Sequence, residues 1–371
     1  MNLSYWEQHK WFDNVDFCIV GSGIVGLSCA LQLRKKNPKA KILILEKGIL
    51  PQGASTKNAG FACFGSASEL LSDMKSHTKE ELLNLVQQRV NGLELLKSKL
   101  GEKQIDFQQH GGYEVFLDKN KDTFENCEAH LEMLNELLRP VFKADTFKLI
   151  TNDFGFKNAL PNLIFNPFEG QIDTGKMMQA LLKKAQCEGI SILNSIKVKS
   201  FSTEAESVHV QLENFDFKTK HLLIATNAFA SELLELNVTP ARNQVLVTKP
   251  IPYLSIKGTF HLDEGFYYFR NIHNRILIGG GRNLDSDGET TSVLETTSRI
   301  QKALEKLLKD VILPDQNFEI DQRWSGILGV GQQKRPIIKP ISNRVCCAVR
   351  LGGMGVAIGS SVGKELADLI D

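Results

Sequence analysis

Phe17-Cys-Ile-Val-Gly21-Ser22-Gly23-Ile24-Val25-Gly26 is a short apolar run that breaks into three glycines spaced G-x-G-x-x-G and then resumes as a helix-periodic segment to Lys35. The first residues read as a strand buried on both faces, the last as a helix that stops at Asn37-Pro38. Lys41-Ile-Leu-Ile-Leu45 is a second buried strand, closed by Glu46 and Lys47. In this β-α-β order each glycine has a task. Gly21 permits a tight turn, Gly23 lets backbone approach a pyrophosphate, and Gly26 lets helix and strand pack closely. The helix start, Ser22 to Val25, directs backbone N–H groups and a partial positive charge at phosphates. Glu46, 20 residues beyond Gly26, can accept hydrogen bonds from ribose hydroxyls and repels a 2′-phosphate. The unit reads as a dinucleotide site and does not by itself separate NAD from FAD.

Working outward, residues 69–100 are charged, leucine-rich and helix-periodic, giving one or two surface helices. A strand is expected over 113–117, helices over 121–138 and 175–188, and strands at 191–193, 198–201, 208–212 and 221–226. Residues 242–250, 265–270 and 275–279 read as antiparallel strands, 292–308 as a helix, and 344–351 as a strand leading to a glycine turn and a final helix. The α/β segments lie at the start, middle and end, with antiparallel material between them. The expected fold is therefore α/β: a Rossmann-type domain of discontinuous segments (1–75, 150–240 and 320–371) with an inserted antiparallel-sheet domain (76–149 and 241–319).

Composition narrows the partners. The chain has 371 residues with 44 Lys and Arg against 43 Asp and Glu, and no dense basic cluster, so nucleic acid is not an expected partner. Met1 to Asp16 lacks the apolar run of a signal peptide, and the longest apolar stretch, 17–33, is broken by glycines, so no transmembrane segment is expected. Seven irregularly spaced cysteines suit a reducing, cytoplasmic setting, and no metal site is expected.

Four further segments resemble the D-amino-acid oxidase and glycine oxidase superfamily. Ala54-Ser55-Thr-Lys57-Asn58-Ala59-Gly60-Phe61 looks like the family's second flavin motif, whose backbone runs beside the isoalloxazine. Val198 resembles the position whose backbone meets the adenine, and Ala225-Thr226-Asn227 resembles a strand end near the cofactor. Gly352-Gly353-Met354-Gly355-Val356 looks like the C-terminal flavin element, and Gly326 is a further candidate for cofactor binding. The resemblance implies FAD, and oxidation of the C–N bond of a small amine or amino acid by hydride transfer to flavin N5. Oxygen or another acceptor would then take the electrons. Relatives that tether flavin through a C-terminal cysteine carry it near 326–331, where this chain has none, so the FAD is expected to be non-covalent.

On the substrate side, Gly265-Phe-Tyr267-Tyr268-Phe269-Arg270 resembles a cavity-lining strand, making Tyr267, Tyr268 and Arg270 the candidate catalytic or anchoring residues. Alternation puts Tyr268 and Arg270 on one face and Tyr267 on the other. Alignment with glycine-oxidase-like members favours Tyr267 as cavity-facing, and the arginine favours the opposite face. The same residues also read as core aromatics and a surface charge. His110 and Tyr113 are further candidates from a neighbouring strand. Amino-acid-specific relatives carry an arginine in a G-x-R-P segment that grips the substrate carboxylate, and here Leu328 falls at that position. A substrate without an α-carboxylate becomes an option. Other readings on the same scaffold are 2-hydroxy-acid oxidation, oxidation of a modified tRNA uridine, and flavin binding without turnover.

Overall fold

A computed structural model describes residues 3–370. Two large sheets organise the chain. The first is built on five parallel strands in the order Val345–Val349, Asp216–Ile224, Val15–Val20, Ile42–Leu45 and Ser191–Leu193. Helix Ile24–Lys36 makes the crossover between its Val15–Val20 and Ile42–Leu45 strands. It packs with helices Thr174–Cys187 and Gly355–Asp368 on one face, over a core that includes Ile19, Leu27, Ile44, Leu181 and Leu366. The other face is covered by the antiparallel strands Val198–Thr203 and Val208–Leu212, which continue from Asp216–Ile224 and bury Val198, Val210 and Phe217 against Cys18 and Leu43. Both faces are thus roofed, which is why Cys18–Val20, Ile42–Leu45, Leu222–Ile224 and Val345–Val349 are continuous apolar runs rather than alternating.

The second sheet has eight strands in the order Ile320–Val330, Thr239–Thr248, Arg275–Gly280, Tyr267–Ile272, Thr259–Leu262, Gly112–Glu114, Asn162–Asn166 and Lys148–Thr151. Neighbours run antiparallel except Thr259–Leu262 with Gly112–Glu114, which are parallel. One face is packed by helix Ser298–Leu307 over Leu246, Phe260, Phe269 and Ile278. The opposite face is turned towards the Ala54–Ala62 region.

These pairings redraw the expected segment boundaries. Strands Lys148–Thr151, Asn162–Asn166 and Ile320–Val330 fall mostly within stretches assigned to the nucleotide domain, yet they hydrogen-bond into the second sheet. Conversely, helix Lys79–Leu100, placed in the inserted domain, contributes Leu96 and Leu100 to the core that buries helix Gly355–Asp368. A strand's membership depends on its pairing partner, which composition does not reveal. The helix expected at 292–308 begins only at Ser298, with the 292–297 stretch outside regular structure. The helix at 121–138 runs on to Phe142, through Pro140. Among the described residues, no helix is long and apolar enough to cross a membrane.

Candidate active site

The carboxyl ends of the parallel strands open into a cleft. Its floor is the glycine turn. Gly21 sits at φ +102°, where an L side chain is strained, and a Cβ on Gly26 would collide with the carbonyl oxygen of Gly21. The helix that follows is capped by Gly23 with no side-chain cap, so its first N–H groups are left to the cleft, apart from Ile24 N, which donates to Ser55 Oγ at 3.0 Å. Glu46 is 6% exposed, and its carboxylate is held by the loop: Oε2 accepts from Ser22 N (3.1 Å) and Ser22 Oγ (2.8 Å), and Oε1 from Gly48 N (2.9 Å). A buried carboxylate with spare lone pairs at a strand end suits ribose hydroxyls. Thr226 Oγ1 is shut from solvent, lines the cleft and has no partner, so a ligand with hydrogen-bonding groups fits here.

Sixteen of the residues expected to bind cofactor line this cleft: Gly21, Gly23, Ile24, Val25, Glu46, Lys47, Ala54, Ser55, Asn58, Val198, Ala225, Thr226, Asn227, Gly353, Gly355 and Val356. Ser22, Gly26, Lys57, Ala59, Gly60, Phe61, Gly326, Gly352 and Met354 do not line it, and several of these brace it from behind. Sequence reasoning missed Ile196, Lys197, Phe229, Glu232 and Leu233, which close the far end. There Glu232 pairs with Lys47 (3.3 Å) and Lys197 (2.7 Å), and Lys47 also lies 3.5 Å over the Phe229 ring. These residues come from two short segments, 196–197 and 229–233, that no local motif marks. Leu328 also lines the cleft, at the Gly353 turn. Neither cysteine nor histidine is among the lining residues.

The loop after the first turn is held by side-chain hydrogen bonds. Asn58 Nδ2 donates to Ser55 O (2.8 Å), and its Oδ1 accepts from Gly60 N (2.8 Å) and Thr174 Oγ1 (2.8 Å). Trp324 Nε1 donates to Lys57 O at 2.9 Å. Arg270, 2% exposed, completes the brace: Nε donates to Ala59 O and Nη2 to Ile172 O at 2.9 Å. Burial draws its pKa down to about 10 despite the nearby carboxylates of Asp173 and Asp106. Gly60 must be glycine here, because at φ +75° a Cβ would meet Ile172 O and sit 2.6 Å from Arg270 Nη2. Arg270 is therefore neither a surface charge nor a free anchor. It pins the loop to the second sheet.

The register settles which tyrosine faces this loop. Antiparallel partners share a face. Tyr268 is paired with His261 and Gly279, Gly279 with Val245, and Val245 with Trp324. Tyr268 meets the Phe61 ring edge-on at 5.3 Å, and Ala59, Phe61, Val245 and Trp324 gather around it. Tyr267 points the other way, into the core under helix Ser298–Leu307, so its candidacy as a cavity residue is corrected. Tyr113 is corrected likewise: it stacks on Phe260 at 4.9 Å in that far core, and its hydroxyl donates to His110 O.

Behind Phe61 lies a buried charged network. His261 Nε2 and Glu169 Oε2 are 2.9 Å apart, and Glu169 Oε1 accepts from Phe64 N at 2.9 Å. Burial opposes the imidazolium, but Glu169, Glu69 and Glu114 outweigh it and the His261 pKa is raised. Lys334 bridges Glu69 (3.0 Å) and Asp73 (2.8 Å). Burial would raise the Glu69 pKa, but Lys334 and Arg89 hold it down to about 2.

Comparison with known proteins places these features in a lineage. The family model described as FAD dependent oxidoreductase matches residues 16–369. Gamma-glutamylputrescine oxidoreductase of Escherichia coli is 21% identical over 96% of this chain and 83% of its own length. Among solved structures, glycine oxidase from Geobacillus kaustophilus superposes with TM-score 0.76 at 19% identity, covering 96% of this chain and 95% of its own. L-proline dehydrogenase from P. horikoshii gives TM-score 0.75 at 21% identity, covering 96% and 93%.

Proposed function

This chain belongs to the FAD-dependent oxidoreductase family, and from that premise we propose that it oxidises the C–N bond of a small amine lacking an α-carboxylate. FAD is its cofactor, and when bound it supplies the hydride acceptor at N5. The chain's own residues hold the pyrophosphate at the Gly21–Gly26 turn, orient the ring through the Arg270-braced loop, and wall off water with Phe61, Tyr268 and Trp324.

The observation that carries the substrate class is the wall facing the loop. Leu328 stands where a carboxylate-gripping arginine would fall, and Arg270, the arginine that reaches the loop, is committed to the carbonyls of Ala59 and Ile172. Lys334 is likewise committed, between Glu69 and Asp73. A carboxylate brought here would be desolvated with neither Arg270 nor Lys334 free to pair with it.

A second reading, an α-amino acid as substrate, is favoured by Lys57. Its ammonium has no ion pair or hydrogen bond among the described residues, and it sits on the loop beside Gly326. Anaerobic bleaching of the bound flavin separates the two. Primary and secondary alkylamines should bleach it, and 2-hydroxy acids should not. Bleaching by α-amino acids alone, abolished in Lys57→Met, would establish the second reading instead.

A further inference from the structure

We propose that Asn243 is the specificity-determining anchor of the substrate amine, its side-chain oxygen accepting an N–H from the uncharged form; this rests on the amine-oxidising reading above. Asn243 lies on strand Thr239–Thr248 and is paired with Gly326. A Cβ on Gly326 would point at Lys57 Cβ, 3.2 Å away, so residues in this register face the cofactor loop. Asn243 Nδ2 donates to the Tyr268 hydroxyl at 3.1 Å. Its Oδ1 is sealed from solvent and has no partner.

A buried amide oxygen left without a donor costs about 1–3 kcal/mol. Ala59, Phe61, Val245 and Trp324 make the wall about Tyr268 apolar, and no protein group among the described residues satisfies the Asn243 oxygen. Burial pushes the Tyr268 phenol pKa up, so its hydroxyl stays neutral and fixes the amide without adding charge.

The chemistry of a neutral acceptor is selective in two ways. It takes an N–H but supplies no counter-charge, so an ammonium entering this wall loses its hydration without compensation. The uncharged amine, whose nitrogen lone pair is needed for hydride departure from the adjacent carbon, is the form that gains. A carboxylate in the same place would meet the lone pairs of Oδ1 and be rejected, adding a repulsive element to the missing arginine.

The test uses the flavin-loaded enzyme with matched pairs of primary alkylamines and the amino acids they derive from by decarboxylation, such as butylamine and 2-aminopentanoic acid. For wild type, apparent affinity for the amine should rise tenfold per pH unit below the amine's pKa. Asn243→Ala should raise the amine KM about tenfold, with flavin content and visible spectrum unchanged. Asn243→Asp supplies the missing charge, so KM should fall and become nearly independent of pH while kcat drops. An Asn243→Ala enzyme with wild-type KM, or an Asn243→Asp enzyme that keeps the wild-type pH dependence, overturns the anchor. If amines bleach wild-type flavin in either case, the amine-oxidising reading stands and only the anchor falls. If no amine bleaches wild type, that reading itself is lost.

Discussion

The cleft at the parallel strands and the wall of the second sheet meet along one loop but are built by opposite means. The cleft is built of backbone: the Gly21–Gly26 turn, a helix start with no side-chain cap, and the glycines before helix Gly355–Asp368. The wall is built of side chains drawn from separate strands, Asn243, Tyr268, Trp324 and Leu328, with Arg270 joining wall to loop. A backbone cradle tolerates almost no change at its glycines and says little about substrate. A side-chain wall tolerates change, and on the proposed reading it decides what is oxidised.

Placing a valine at Gly26 should break the comparison most severely. The new side chain is driven into the Gly21 carbonyl, and neither helix nor strand can retreat from a core that is buried on both faces. We expect loss of bound flavin and a destabilisation above about 4 kcal/mol, read by absorbance near 450 nm per mole of protein and by urea unfolding. A folded variant with full flavin content would remove the close-packing role from Gly26.

Arg270→Met tests the joint between the two regions. It leaves the carbonyls of Ala59 and Ile172 without donors in a buried setting, which should cost about 2–5 kcal/mol and loosen the loop beside the ring. Weaker flavin retention and a shifted flavin potential should accompany it. If the variant instead raised only substrate KM, with the potential unmoved, Arg270 would be a substrate anchor rather than a brace.

The same contrast explains what the sequence disclosed. The turn of Gly21, Gly23 and Gly26 and the strand-end Glu46 were legible because a tight turn and close helix–strand packing impose residue types at fixed local spacing. That Ser22 serves to hold Glu46 was not, since nothing local distinguishes a cleft-facing serine from one turned back on its own strand. Period-two alternation separated Tyr267 from Tyr268 but could not say which face met the loop. That depends on pairing Tyr268 with His261 and on Phe61, about 200 residues earlier in the chain. Asn243 escaped entirely: an asparagine in a strand is unremarkable until its neighbours leave its oxygen unmet.

A smaller effect is expected at the charged network behind the wall. Glu69, with its pKa held at about 2 against an ordinary value of 4.5, contributes stability that is complete above the higher value and lost as pH falls through the lower. This is worth about 3 kcal/mol across that window. Asp73, raised by its burial, titrates with the opposite sign and trims the total. In Lys334→Met the depressing charge is gone, so the variant should be less stable at pH 7 and the gap to wild type should narrow as pH falls below about 4.5. Parallel stability curves for the two proteins from pH 7 to 3 would show that Lys334 does not set the Glu69 pKa.

The finest test exchanges a single hydroxyl on either side of one strand. Tyr268→Phe removes the partner of Asn243 Nδ2 and frees the amide to turn, so kcat/KM for amines should fall about three- to tenfold while stability changes by under about 1 kcal/mol. Tyr267→Phe alters a ring in the far core, and its hydroxyl makes no hydrogen bond among the described residues, so kcat/KM should stay at the wild-type value. The two variants differ by one residue in position and are matched in chemistry, so general perturbation of the strand cancels between them. Equal losses in both would mean that the strand's packing, not its face, governs turnover, and would return Tyr268 to the structural side of the comparison. A loss confined to Tyr267→Phe would invert the register argument, because it would require substrate to approach from the side closed by helix Ser298–Leu307.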